Sequence, residues 1–277
     1  MVQNWRSGFK IQTGGKHFRW KDTAVMIQGE AVKSFTLLFL KMWHVAKGKD
    51  SIPEEEIRKY TVEVWENTQA DEMRTDMESM RNTAMQNTQD KKLHAGGYVI
   101  PYGDDPYGDE RIGKQVYIDI LNRARKYVHI MTPYLILDDE MITALRYCAK
   151  RGVETVIIMP HIPDKIYAYL LARTYYKQLL KYGVKIYEYQ PGFLHAKSFV
   201  SDDEIGVVGT INLDYRSLYL HFEDGVWIYR NRVIQDIKDD FIQTMEYCRQ
   251  IEPEFCLNRN IGLRIMQNIF RAFAPLM

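Results

Sequence analysis

The stretch DDEMITALRYCAKRGVETVIIMP, Asp138–Pro160, decides the fold. Its acid-rich start is a helix N-terminal cap, and Gly152 is a suitable C-cap. VETVIIMP then reads as a buried strand. Outward on the N-terminal side lie the strand VHIMTPY, ended by Pro133, the amphipathic helix IGKQVYIDILNRARKY, with Val116, Ile120 and Leu121 on one side, and the strand GGYVIPYG. On the C-terminal side come the helix DKIYAYLLARTYYKQLLKYG, stopped at Gly183, and the strand VKIYEYQ. Strands alternating with helices at this length indicate βαβ units. The expectation is an α/β fold with a mixed, largely parallel sheet flanked by helices on both faces.

Upstream, DTAVMIQG reads as a strand and EAVKSFTLLFLKMWHV as a helix, with Val32, Phe35, Leu38, Phe39 and Met42 at helical spacing. The region between is polar and weakly periodic. The predicted organisation is residues 1–47 with a strand and a helix, 48–96 as a polar linker or helical excursion, and 97–277 as the main domain.

Bulk properties narrow the function. A net charge of +1 supplies no whole-chain field for nucleic acid, which is not expected as a partner. Three cysteines, with no CxxC pair or Cys/His cluster, give no metal site and fit reduced thiols. The N-terminus lacks the apolar core of a signal peptide. The longest apolar run, FTLLFLKMW, is far short of the roughly 20 residues that span a bilayer.

The chemistry concentrates in FLHAKSFVSDDEIGVVGTINLDYRS, Phe193–Ser217. His195, Lys197 and Asp202 form H-x-K-x4-D. HAKSFVS and IGVVG read as two strands, and on a strand His195 and Lys197 share a face. An imidazole can then attack phosphorus or protonate a leaving oxygen while the ammonium neutralises a non-bridging oxygen. Gly209, Thr210 and Asn212 form a turn able to donate to phosphate. Glu223, one strand on, can accept from the far nitrogen of His195 and fix its tautomer. Each piece alone is ordinary: H-x-K is common, Asp202–Glu204 is a solvated turn, and G-T-x-N is a tight turn. Their order between strands, followed by LDYRS, is far more specific.

WKDTAVMIQGEAVKSFTLLF repeats the grammar of FEDGVWIYRNRVIQDIKDDF: an acid, an apolar strand, a turn and a helix. Asp22 aligns with Glu223, Val25 with Val226 and Ile27 with Ile228.

FLHAKSFVSDDEIGVVGTINLDYRSLYLHFE resembles the second catalytic motif of bacterial cardiolipin synthases in the phospholipase D superfamily. TPYLILDDEMITALRYCAKRGVETVIIMP, YYKQLLKYGVKIYEY, WKDTAVMIQGEAVKSFTLLFLKMW and FRAFAPLM extend the resemblance over most of the chain, which implies that residues 1–47 are the remnant of a first phospholipase D-like domain and 97–277 the second, catalytic one. It implies two H-x-K motifs, one histidine forming a phosphohistidine and the other serving as acid and base. The implied reaction converts two phosphatidylglycerols into cardiolipin and glycerol, without cofactor or metal, at the cytoplasmic face of the cell membrane. Carried over, His195 is the acid/base, Lys197 and Asn212 bind phosphate, Thr210 lines the site and Glu223 orients His195. Asp202 is a motif residue of structural character, and Asp214, Arg216 and Ser217 complete the motif as turn and support residues.

This sequence departs from that pattern in having no first H-x-K: His17 is followed by Arg19. Asp22 is therefore expected to orient a histidine outside this chain. The chain resembles the C-terminal portion of such an enzyme, completed by a missing N-terminal half or by a second polypeptide. Two rival readings are a single-motif phosphodiesterase or nuclease active as a homodimer, and an inactive lipid-phosphate-binding fragment. RNIGLRIMQNIFRAFAPLM suits a lipid-facing helix or a packed one. His221, His161 and His129 find no assigned partner.

Overall fold

The computed structural model describes residues 2–13, 16–63 and 96–253. Two compact units partition the chain: Gln28–Gly96, and Val2–Ile27 together with the chain from Gly97. In the smaller, α1 (Ala31–Ala46) is followed by α2 (Glu54–Arg58) and a π-helical turn, Lys59–Glu63. Leu40 and His44 form the buried stripe of α1, whereas Phe39, expected on the inner face, is exposed. His44 Nε2 lies 2.9 Å from Glu56 Oε2, tying α1 to α2.

The larger unit opens with β1 (Val2–Thr13) and β2 (Lys16–Ile27), an antiparallel hairpin not foreseen in the sequence. From Tyr98 the order is β3 (Tyr98–Asp104), α3 (Ile112–Arg123), β4 (Tyr127–Met131), α4 (Asp139–Lys150), β5 (Glu154–Pro160), α5 (Ile166–Lys181) and β6 (Lys185–Tyr189). Then come β7 (Gly192–Leu194), β8 (Ser198–Ser201), β9 (Ile205–Gly209), a π-helical turn (Arg216–Leu220), β10 (Glu223–Tyr229), α6 (Val233–Met245) and β11 (Cys248–Gln250). The predicted caps form: Asp138 accepts from Met141 N at 2.7 Å, and Gly152 and Gly183 take positive φ at 87° and 94°.

Eight strands make one sheet in the order β11-β6-β5-β4-β8-β9-β10-β3. The α/β class is as read from the sequence, but the pairing balance is not. β4, β5 and β6 pair in parallel, giving two parallel pairs against five antiparallel ones. Part of the reason lies after β7: three residues join β8 to β9, and so short a turn joins only antiparallel strands. Alternation along the strands divides the core. Ile130 and Ile157 face α3, α4 and α5, while Met131, Val156 and Ile158 face Phe241 of α6. Helices thus cover both faces.

A second sheet, β1-β2-β7, lies beside the first. β7 runs parallel to β2 with Trp20 opposite Phe193 and Lys21 opposite Leu194. The chain leaves this sheet at Leu194 and enters the eight-stranded one at Ser198, so H-x-K occupies the three-residue step between two sheets. The helix expected near the C-terminus, and Cys256, lie outside the described residues.

Candidate active site

His195 and Lys197 are not on a strand, as their two-residue spacing implied. The step is fixed by backbone bonds instead: His195 N and Ala196 N both donate to the Lys21 carbonyl, at 2.7 and 3.2 Å. Ala196 is fully buried and packs with Leu194 and Phe241, locking the residues on either side.

This arrangement decides the partner of His195. Its Nδ1 lies 3.0 Å from Asp22 Oδ2. Glu223, the acid expected from sequence, does not take that place. The parallel register of β2 on β7 sets Asp22 beside His195, because Lys21 is opposite Leu194. Asp22, expected to serve a histidine elsewhere, is thus the acid of this one. Its other oxygen accepts Thr23 N at 3.0 Å, and Trp20 Nε1 donates to Oδ2 at 3.4 Å. Burial alone would raise the Asp22 carboxyl. The His195 hydrogen bond, the Thr23 N–H and the nearby His195 and Lys197 charges outweigh it, so Asp22 stays ionised below the usual carboxylate range. An ionised carboxylate only accepts, so Nδ1 carries the proton and Nε2 is left for chemistry. Trp20 and Phe193 flank the imidazole at ring-centroid distances of 5.0 and 5.9 Å.

Lys197 is 5% exposed. Desolvation pushes its pKa down to about 8, against the pull of Asp22, Glu223, Asp214 and Asp164. Its Nζ donates to the His195 carbonyl at 2.5 Å. A buried ammonium ringed by carboxylates, next to an oriented imidazole, is suited to a phosphoryl oxygen.

Glu223 belongs to a separate hydrogen-bonded group. Thr210 Oγ1 donates to its Oε2 and Ser217 Oγ to its Oε1, the latter at 2.7 Å, while Asn212 Nδ2 donates to Ser217 Oγ at 2.9 Å. Thr210 and Asn212 therefore hold the acid through hydroxyl and amide bonds. Asn212 Oδ1 is buried and meets no donor among the described residues. Burial raises the Glu223 carboxyl despite the two hydroxyl donors, and burial raises Asp214 as well. His221 Nδ1 lies 3.5 Å from Glu223 Oε1, and Arg216 Nε donates to His221 Nε2 at 3.3 Å. Asp214 caps the π-helical turn by accepting Ser217 N at 2.8 Å. Gly209 sits where a Cβ would lie 2.4 Å from the Asp224 carbonyl, so no larger residue fits opposite β10.

Asp202 stands apart, beyond the other end of β8. It accepts the backbone N–H groups of Arg125, Lys126 and Tyr127 at 2.7, 2.8 and 2.9 Å. The motif acid clamps a turn to the start of β4. His129 pairs with Glu154 and His161 with Glu188, both within the domain's own ion-pair framework. Among the described residues, no group of three or more His, Cys, Asp or Glu is placed to hold a metal ion, and no helix is long and apolar enough to cross a membrane.

Residues 117–245 match the family described as cardiolipin synthase, PLD-like domain. A cardiolipin synthase of Halalkalibacterium halodurans is 32% identical over 93% of this chain and 46% of its own length. An uncharacterized protein of Streptococcus mutans is 45% identical over 93% of this chain and 50% of its own. The chain spans about half the length of the curated relatives it matches. Among solved structures, a phosphatidylserine synthase of Haemophilus influenzae shares the fold, with a TM-score of 0.53 at 16% identity over 73% of this chain and 52% of that one.

Proposed function

This chain belongs to the phospholipase D superfamily, with a domain of the cardiolipin synthase type, and from that premise we propose that it supplies one half of a phosphatidyltransferase site. The observation that carries the reading is the His195–Asp22 pair beside the buried Lys197. The second half is an imidazole from outside this sequence, on a preceding segment or another polypeptide.

In the proposed reaction the second imidazole attacks the phosphorus of phosphatidylglycerol and the bond to glycerol breaks. Nε2–H of protonated His195 gives its proton to the departing glycerol oxygen. A hydroxyl of a second phosphatidylglycerol then loses its proton to Nε2 and attacks the phosphohistidine, forming cardiolipin and freeing the imidazole. Lys197 neutralises a non-bridging oxygen throughout, and Asp22 holds Nδ1–H so that Nε2 can both give and take the proton. The site works at the cytoplasmic face of the membrane, where its lipid substrate lies.

The test is turnover of phosphatidylglycerol vesicles by this chain combined with a polypeptide carrying an H-x-K half. Cardiolipin and glycerol appearing in equal amounts, and lost in His195→Ala, support the reading. Phosphatidate as the lipid product, or full activity in His195→Ala, overturns it. Activity of this chain alone that follows its dimerisation would favour the single-motif phosphodiesterase.

A further inference from the structure

Three residue pairs join β2 to β7, and their register sets Asp22 beside His195. A one-residue slip would turn Asp22 to the other face of its strand. So short a parallel ladder needs a lock, and the side chain of Lys21 provides one. Its Nζ donates to both oxygens of Asp240 on α6, at 2.8 and 2.6 Å, and to the Asp22 carbonyl at 3.1 Å. The Lys21 and Asp240 side chains are 13% and 7% exposed. Thr23 Oγ1 also reaches Asp240, at 3.4 Å. Residues on both sides of Asp22 thus bind one carboxylate, on a helix anchored to the sheet through Phe241.

The other half of the lock is the backbone of the same residue, since the Lys21 carbonyl accepts both His195 N and Ala196 N. We propose that the Lys21–Asp240 ion pair is the positioning device of this half-site: it fixes the register of β2 so that Asp22 meets His195 Nδ1. Neither residue touches the imidazole. The inference rests on the His195–Asp22 pair being the working one, but not on which phosphodiester is turned over.

The experiment reads the tautomer of His195 by nitrogen-15 NMR of the imidazole, in a folded chain at neutral pH. The wild type holds the Nδ1–H form. Asp22→Asn lowers the ratio of Nδ1–H to Nε2–H by about tenfold, the loss of a charge-assisted hydrogen bond. Lys21→Met and Asp240→Asn are expected to reproduce most of that fall, and Lys21→Arg to keep the wild-type ratio. If a single variant unfolds because it leaves a buried charge unpaired, the double variant Lys21→Met/Asp240→Asn removes both charges and is expected to show the same fall. A wild-type ratio in the folded double variant overturns the proposal, and so does an unchanged ratio in Asp22→Asn. Failure to find cardiolipin synthesis, with the tautomer shifts as expected, would overturn the functional reading and leave the positioning role standing.

Discussion

Lys197 carries two opposed costs. In the proposed reaction its ammonium serves a phosphate, but desolvation lowers its pKa to about 8, against about 10.4 in an unfolded chain. Below pH 8 the buried charge opposes folding. That burden lifts as pH rises from about 8 towards the unfolded value, because there the unfolded state binds more protons. Lys197→Met is therefore expected to abolish turnover yet stabilise the fold at pH 7 by roughly 1–3 kcal/mol, read from urea midpoints at pH 7 and pH 10. A loss of stability at pH 7 would show that the surrounding carboxylates need the ammonium more than its burial costs. For the wild type, turnover should decline as pH rises through about 8, when the ammonium loses its proton. The residue types of this half-site were legible in sequence because H-x-K and its neighbours lie in one run. The partnership was not. Asp22 and Glu223 are both acids on strands at matching places in a repeat, and only the register of β2 on β7 decides which one reaches His195.

At the scale of elements, the β8–β9 connection shows why a motif acid need not act in chemistry. Glu204 N closes a turn on the Ser201 carbonyl at 3.0 Å, and Asp202 and Asp203 both take positive φ, 57° and 62°. Two non-glycine residues in that region cost roughly 1 kcal/mol each, offset by the three N–H groups the Asp202 carboxylate gathers from the start of β4. Asp202→Ala is expected to lose about 1–3 kcal/mol of stability in denaturant titration. The His195 tautomer and the turnover per folded molecule should not change. A loss of turnover with unchanged stability would return Asp202 to the chemistry. Helices were the most legible elements, because caps such as Asp138 and Gly152 are local signals. β1 was overlooked, although a Gly-Gly pair between apolar-polar stretches is a hairpin signal.

For the molecule as a whole, one helix serves two sheets. α6 covers one face of the eight-stranded sheet through Phe241, which stacks on His129 at 4.5 Å and 12°, and its Asp240 holds β2 of the three-stranded one. Phe241→Ala should therefore cost about 3–5 kcal/mol in urea unfolding and also loosen the half-site, seen as mixed His195 tautomers. A stability loss with the tautomer intact would show that β2 is held independently of this packing. The α/β class could be read from alternating helices and strands. The antiparallel majority could not, since strand direction is a property of pairing and only turn length hints at it. β8, β9 and β10 each follow a connection without a crossover helix, and there the direction reverses.

The His195–Asp22 hydrogen bond joins residues 173 positions apart. A ribosome adding about 5–20 residues per second makes the acid roughly ten to thirty seconds before its imidazole. Through that interval β2 has no β7 to pair with, and Lys21 waits longer still for Asp240. The His195–Asp22 pair is thus among the last parts of the domain to assemble during synthesis, after most strands of the large sheet have emerged. A nascent chain arrested before α6 would hold every member of the H-x-K-x4-D motif without the Lys21–Asp240 ion pair proposed to set its register.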